Sequence, residues 1–193
     1  LRVTLYSMIL AKELNLDDAY MEDIEIAGLL HDIGKIAMPK SILCKNGKLT
    51  DEEFLVMKSH PVRGEKIVIN IKKLQMISEW VKAHHEKWDG TGYPDGLKGT
   101  QIPLPGRIIA LADTYDAMTS TRPYRTALSH EVAISEIKRC SGTQFDPELA
   151  ELFIKLEAKI NDARMNPEEA YQKYSFLVKN IDFKIFSEAT QAI

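Results

Sequence analysis

Residues 80–94 of the chain read WVKAHHEKWDGTGYP, and the rest of the sequence is best interpreted outward from this stretch. His84 and His85 stand side by side at the end of an amphipathic helical pattern, and a glycine-rich loop with acidic residues follows them. Neutral imidazole and carboxylate groups together suit Fe, Mn, Zn or Co. The stretch therefore indicates a metal centre, although a polar helix end running into a glycine-rich turn has the same pattern.

A second candidate site lies earlier, in the run His31-Asp32-Ile33-Gly34-Lys35 at the end of another helical pattern. The histidine can hold one metal ion, while the neighbouring carboxylate can bridge two. Lys35 follows Asp32 by three residues and His31 by four, so on a helix they share a face. A lysine placed there can donate to an attacking or leaving oxygen, although a surface lysine is the more common reading of this residue type.

Single residues elsewhere become candidates only in combination with these two runs. His60 precedes Pro61 at a predicted helix end, and taken alone it is more often a core or surface histidine than a ligand. Asp113 lies in an otherwise apolar helical pattern, where a carboxylate is costly to bury unless it is paired or metal-bound. Asp116 follows one turn later and competes for the same role. His130, at a helix start, is expected to be a solvated surface residue.

Two arginines, Arg122 and Arg125, straddle Pro123-Tyr124 in the sequence TRPYR. Guanidinium groups bind phosphate in a bidentate way, so this spacing suits a phosphate-bearing substrate. A solvated loop would have the same composition, and the arginines favour phosphate binding only because the acidic and histidine residues accompany them.

The composition is that of an ordinary soluble globular protein, with 193 residues, 45% hydrophobic and 27% charged, and a net charge of −3. That charge does not favour DNA or an anionic membrane as a partner. No apolar run approaches the roughly 20 residues of a membrane span. Cys44 and Cys140 suggest reduced thiols in the cytoplasm, although a disulfide between them would have the same sequence signature.

Helical spacing and capping signals account for most of the chain, and no strand pattern is convincing. Helices are predicted over residues 1–14, 18–30, 51–59, 61–71, 74–85, 107–119 and 129–140, with two more beginning at Pro147 and Pro167. Residues 86–106 form a long loop, and loops of this length are usually functional. The predicted fold class is all-α.

Taken together, the two runs resemble one family. The first matches the HDxGK signature of the HD metal-dependent phosphohydrolases. The second matches the HHExxDGxGYP signature of the HD-GYP branch through His84, His85, Glu86, Asp89, Gly90, Gly92, Tyr93 and Pro94. The resemblance covers residues 1–156 and is taken to define an HD-GYP domain.

This resemblance implies an HD-type helical bundle with a long GYP loop, holding two or three divalent metal ions, most commonly Fe or Mn. It implies hydrolysis of the bacterial second messenger cyclic di-GMP to pGpG and/or GMP, by attack of a metal-activated water. Six residues are implied as metal ligands: His31, Asp32, His60, His84, His85 and Asp113.

The remaining roles also follow from the resemblance. Lys35 is implied as the catalytic lysine, with Asp32 as the bridging carboxylate. Substrate contacts are implied for Tyr93, Arg122 and Arg125. The loop is expected to be shaped and the ligands oriented by Glu86, Asp89, Gly90, Gly92 and Pro94.

The resemblance also bears on the organisation of the whole protein. The family usually has a further histidine ligand three residues before the position of Arg2-Val3, so the domain is expected to be truncated at its N-terminal edge. An N-terminal receiver or sensor domain is expected upstream. Residues 157–193 are expected to be a helical extension packed on the domain or at a homodimer interface, and a diguanylate cyclase domain is a candidate partner.

Two other functions compete with the phosphodiesterase. A non-catalytic cyclic di-GMP sensor or protein-docking module with a retained metal site is favoured by the missing upstream histidine, whereas the presence of Lys35 and of the other ligands favours the enzyme. A general HD-type nucleotide phosphatase would leave the second motif unexplained.

Overall fold

A computed structural model describes residues 1–45, 47–121 and 126–176. In these ranges the chain folds into packed helices. No β-strand forms within these ranges, which confirms the all-α fold class. The α-helices are α1 (Arg2–Glu13), α2 (Asp18–Leu30), α3 (Lys40–Leu43), α4 (Asp51–Met57), α5 (His60–Val68), α6 (Gln75–Ala83), α7 (Leu104–Thr119), α8 (His130–Arg139), α9 (Pro147–Lys155), α10 (Glu157–Met165) and α11 (Pro167–Tyr174).

Helix α1 is the centre of the core. Its residues 3–11 are all buried, and it packs against α2, α7, α10 and α11. A helix that is enclosed on every side needs apolar or internally bonded residues all round. Ser7 meets that requirement because its hydroxyl donates to the Val3 carbonyl at 2.9 Å, whereas the buried hydroxyls of Thr4 and Tyr6 have no hydrogen-bond partner among the described residues.

The helix starts follow the capping signals of the sequence. The side chains of Asp17, Thr50, Ser129 and Asp146 each accept a backbone N–H at the beginning of a helix. These contacts satisfy donors that have no partner inside the helix. The start of α7 differs from the prediction, because it lies at Leu104 rather than at 107, and the long loop is correspondingly shorter.

The prediction that His130 is a solvated surface residue was wrong. This histidine is only 9% exposed, and its Nδ1 atom lies 2.8 Å from the hydroxyl of Tyr115 on α7. The ring is therefore a core group that joins the first turn of α8 to α7, and its burial is satisfied by a hydrogen bond.

The described part of the C-terminal extension, residues 157–176, is helical and packs on the same core. Both α10 and α11 contact α1, and Tyr171 is buried. The carboxylate of Glu25, fully buried in α2, accepts hydrogen bonds from the Ser175 hydroxyl and from the Phe176 backbone N–H. The division of the chain at residue 156 stays a prediction. In the described ranges, no helix is both long enough and apolar enough to cross a membrane.

Candidate metal centre

Three histidines share one arrangement: His31 after α2, His60 at the start of α5, and His84 after α6. Each ring places Nδ1 against the backbone carbonyl three residues earlier, at 2.6 Å, 2.8 Å and 2.6 Å respectively. A carbonyl oxygen only accepts, so Nδ1 carries the proton in each ring. The neutral ring is then left with a lone pair on Nε2, which is the form that binds a metal ion.

These Nε2 atoms converge on one another and on Asp32. The Nε2 atoms of His60 and His84 are 3.3 Å apart. Asp32 lies between the rings, with Oδ1 3.3 Å from His60 Nε2 and Oδ2 3.4 Å from His31 Nε2. Lone pairs and carboxylate oxygens at these distances repel unless a proton or a cation lies between them.

His85 completes a group of three imidazoles. Candidate ligand atoms of His60, His84 and His85 all lie within 4.8 Å of one another. Burial lowers the pKa of His84 well below its usual value, with a further contribution from His85. Burial and the neighbouring His60 lower the pKa of His85 to about 3. Both rings are therefore neutral, and neutral imidazoles are metal ligands.

Asp32 is ionised in this setting. Burial acts to raise its pKa, but hydrogen bonds from the His31 and His60 rings, together with the charge of Lys35, hold that pKa far below the usual value. The pKa of His31 is raised, because the hydrogen bond and charge of Asp32 outweigh the effect of burial. The Nε2 lone pairs around Asp32 can be neutralised in two ways, either by protons on the rings or by a bound cation.

The two aspartates of α7 have different surroundings. Asp113 Oδ1 lies 3.9 Å from His31 Nε2, so this carboxylate borders the cluster. Asp116, one turn further, accepts from Arg2 Nε at 2.7 Å and is committed to an ion pair with α1. Of the two candidates, Asp113 is the one that lies beside the histidines.

Two acidic residues of the long loop accept hydrogen bonds from other residues of the same loop. The buried carboxylate of Glu86 accepts from the backbone N–H groups of Asp95 and Leu97, at 2.7 Å and 3.1 Å. Asp89 Oδ1 accepts from the N–H and the hydroxyl of Thr91, at 2.9 Å and 2.7 Å. Both carboxylates therefore hold the loop in shape.

Comparison with known proteins adds to this geometry. A family model described as "HD domain" matches residues 2–149. The chain belongs to the HD domain family. The resemblance drawn from the two sequence motifs is thereby confirmed.

Among relatives of this HD domain is a protein of Thermotoga maritima named cyclic di-GMP phosphodiesterase, 46% identical over 155 residues, which cover 79% of this chain and 42% of the relative. Another, from Vibrio cholerae and with the same name, is 47% identical over 151 residues, which cover 75% of this chain and 31% of the relative. The chain thus spans less than half the length of either relative.

A solved structure shares the fold of this HD domain. It is a cyclic GMP-AMP specific phosphodiesterase of V. cholerae, with a TM-score of 0.68 and 20% sequence identity, covering 91% of this chain and 48% of that one. The neighbour's helical architecture agrees with the all-α fold described above.

Glycines of this HD domain allow close backbone approaches that side chains would block. A Cβ atom on Gly34 would lie 1.9 Å from the His60 carbonyl oxygen, so only glycine lets the first motif pack against the start of α5. A Cβ atom on Gly92 would lie 2.3 Å from the Lys87 nitrogen. Gly90 has a φ of +85°, a conformation that favours glycine, and Pro94 follows a cis peptide bond.

Tyr93 connects the loop to the histidines. Its ring stacks on His85 with centroids 4.9 Å apart, and its backbone N–H donates to the His85 carbonyl at 3.1 Å. The ammonium of Lys58 lies 5.2 Å from the centroid of the same ring. Nothing in the spacing of the sequence pointed to Lys58. Arg122 and Arg125, predicted to bind substrate, lie outside the described residues.

Proposed function

We propose that this HD domain is a metal-dependent phosphodiesterase that hydrolyses cyclic di-GMP to pGpG and/or GMP. The observation that carries the proposal is the convergence of the Nε2 atoms of His31, His60 and His84 around the carboxylate of Asp32. Relatives that are 46% and 47% identical and are named cyclic di-GMP phosphodiesterases support the choice of substrate.

The donor set fits divalent metal ions. We assign it to two or three ions held by His31, Asp32, His60, His84, His85 and Asp113, and imidazole with carboxylate suits Fe or Mn. When bound, such ions supply an activated water and neutralise charge on a phosphate. The two oxygens of Asp32 face different histidines, which supports a bridging position for this carboxylate.

Lys35 is proposed as the residue that assists the reaction directly. Its Nζ atom lies 2.6 Å from Asp32 Oδ2, and both side chains are partly exposed, so the ammonium borders the cluster at an accessible position. A positive group there can donate to a phosphate oxygen or to the leaving oxygen as charge develops. Because Asp32 is ionised, the pair also keeps Lys35 oriented.

Tyr93 is proposed to contact the nucleotide, as are Arg122 and Arg125. Burial raises the pKa of the Tyr93 hydroxyl, and the carboxylates of Asp113 and Asp32 raise it further. The hydroxyl therefore stays neutral and can donate a hydrogen bond to a substrate oxygen. We also infer a cytoplasmic location, which the free thiols of Cys44 and Cys140 support.

The organisation around the domain stays a proposal as well. We infer an attached N-terminal receiver or sensor domain, and we retain a homodimer and a diguanylate cyclase domain as candidate partners. The alternative function is a non-catalytic cyclic di-GMP sensor. The accessible Lys35–Asp32 pair favours the enzyme, because a sensor does not need a proton donor beside its metal ligands.

The test is elemental analysis of anaerobically purified protein together with a cyclic di-GMP turnover assay, with 3′3′-cGAMP as a competing substrate. Two or more Fe or Mn ions per chain with turnover of cyclic di-GMP are expected. Metal with tight binding but no turnover would replace the enzyme with the sensor. Preferred turnover of 3′3′-cGAMP would correct the substrate and keep the reaction.

A further inference from the structure

An aromatic and cationic group lies beside the candidate metal centre and is not used by it. Helix α4 presents Phe54 and, one turn later at its C-terminal end, Lys58. The Lys58 ammonium lies 5.0 Å from the Phe54 ring centroid and 5.2 Å from the Tyr93 ring centroid, so it is held between two rings. Tyr93 in turn stacks on His85, which places Lys58 one ring away from the histidine cluster.

We propose that Phe54 and Lys58, together with Tyr93, form a subsite for the half of a cyclic dinucleotide that is not being hydrolysed. In this subsite, Lys58 binds the second phosphate and Phe54 stacks on a purine base. The inference rests on the proposed function, because it takes the phosphate under attack to lie at the histidines and Asp32.

The charge of Lys58 is available for a phosphate. Three other half-buried lysines are paired with carboxylates: Lys35 with Asp32 at 2.6 Å, Lys45 with Glu53 at 2.5 Å, and Lys82 with Asp95 at 2.8 Å. Lys87 in the long loop is half-buried and, like Lys58, has no carboxylate within 4.0 Å among the described residues. Across the described ranges, no carboxylate lies within 4.0 Å of the Lys58 ammonium. A cation that lacks a protein counter-ion beside a phosphodiesterase centre is suited to an anionic substrate.

The exposure of Phe54 fits a stacking role. The side chain is 46% exposed, and it lies on α4, a helix with no buried residue. Aromatic faces of this kind accept nucleobases by stacking, whichever base is offered. A ring packed only for stability would bury most of its surface, whereas this one presents part of its area to solvent next to a cation.

The two phosphates of a cyclic dinucleotide must bind at different places on the protein. A cyclic dinucleotide carries two phosphates on opposite sides of one ring, so binding one at the histidines directs the other outward. Lys58 lies beside the histidine cluster and not within it, because Tyr93 stacks on His85 and the Lys58 ammonium lies 5.2 Å from the centroid of the Tyr93 ring. A small phosphodiester with a single phosphate would occupy only the histidine cluster.

The decisive variant is Lys58→Met, because methionine keeps an unbranched side chain against the two rings and removes the charge. We expect KM for cyclic di-GMP to rise about tenfold or more, as loss of one charge-assisted contact implies. We expect Lys58→Arg to restore most of the affinity. The matched control is Lys66→Met on the exposed face of α5, which we expect to leave KM unchanged.

A second substrate separates binding from folding and metal loading. The ratio of kcat/KM for cyclic di-GMP to that for bis(4-nitrophenyl) phosphate is expected to fall about tenfold in Lys58→Met. Phe54→Leu is expected to lower the same ratio by a smaller factor. Metal content and the thermal unfolding midpoint of each variant are measured alongside.

The outcomes separate this inference from the proposed function. Suppose that wild-type protein turns over cyclic di-GMP and that Lys58→Met leaves the ratio of the two kcat/KM values unchanged, either at full activity or with an equal loss on both substrates. The subsite is then wrong and the proposed function stands. If wild-type protein binds without turnover, the dissociation constants of wild type and Lys58→Met decide the subsite. If wild-type protein neither binds nor hydrolyses a cyclic dinucleotide, both proposals fail.

Discussion

The histidine cluster and the loop that follows it both bury polar groups, but they satisfy them differently. In the loop, Glu86 is 3% exposed and its two oxygens accept backbone N–H groups at 2.7 Å and 3.1 Å. In the cluster, the Nδ1 atoms of His31, His60 and His84 are satisfied by carbonyl groups, while their Nε2 atoms face one another and Asp32. The carboxylate of Glu86 is therefore satisfied by the protein, whereas we propose that a cation satisfies the Nε2 atoms of the cluster.

This difference matters because both regions look alike in composition. Histidine and carboxylate groups within a few residues of each other indicate a metal site on sequence grounds, yet only one region directs lone pairs into a common space. A buried polar group needs a partner, and the identity of that partner distinguishes a structural role from a ligand role. The comparison predicts that mutations in the two regions respond differently to metal.

The largest effect is expected from Asp32→Ala. Removing the carboxylate takes away the group that faces both His31 and His60 and that pairs with Lys35. We expect kcat for cyclic di-GMP to fall by about 10²–10³-fold or more, with helical content unchanged by circular dichroism. Turnover close to wild type would show that Asp32 has no place in the reaction.

Asp113 and Asp116 offer a matched pair one turn apart on α7. We expect Asp113→Ala to weaken metal binding and lower turnover by at least about tenfold, because this carboxylate borders His31. Asp116→Ala breaks the ion pair with Arg2, so we expect a modest loss of stability with normal metal content. Inductively coupled plasma mass spectrometry of both variants makes the comparison, and equal metal loss would contradict it.

Glu86→Gln is expected to lower the stability of the fold by an amount that does not depend on metal. Replacing one carboxylate oxygen by an NH₂ group leaves a loop N–H without its acceptor, at a cost of about 1–3 kcal/mol in the free energy of unfolding. The decrease should be the same with and without a chelator. An exposed control, Glu151→Gln, removes only a surface pair with Lys155 and should change stability little.

If chelation abolished the difference between wild type and Glu86→Gln, Glu86 would act through the metal. The contrast between the loop and the cluster would then be wrong. Denaturant unfolding of both proteins in the two conditions provides the four free energies needed.

The sequence predicted the local features of the fold well. The capping residues Asp17, Thr50, Ser129 and Asp146 mark helix starts through contacts with their immediate neighbours, which a sequence pattern contains. The all-α class and the family resemblance follow from the same local information. The predicted start of α7 was three residues too late. Pro103 and Pro105 suggested a loop, but proline is also favourable in the first turn of a helix.

Features that depend on contacts between distant segments were not predictable in this way. His130 was misjudged because its partner, Tyr115, lies on another helix. The tight approach of Gly34 to His60 joins two segments that are far apart in the chain, and the position of Lys58 beside Tyr93 has the same origin. The choice between Asp113 and Asp116 also required the position of Arg2.

The most direct test of the central claim, that the converging Nε2 atoms and Asp32 bind metal ions, is anomalous diffraction at the Fe and Mn edges from crystals grown anaerobically. We predict anomalous peaks at bonding distance, about 2 Å, from the Nε2 atoms of His60 and His84, with Asp32 between two ions. Metal bound elsewhere, or an ordered cluster closed by hydrogen bonds to protonated rings with no anomalous peak, would contradict it.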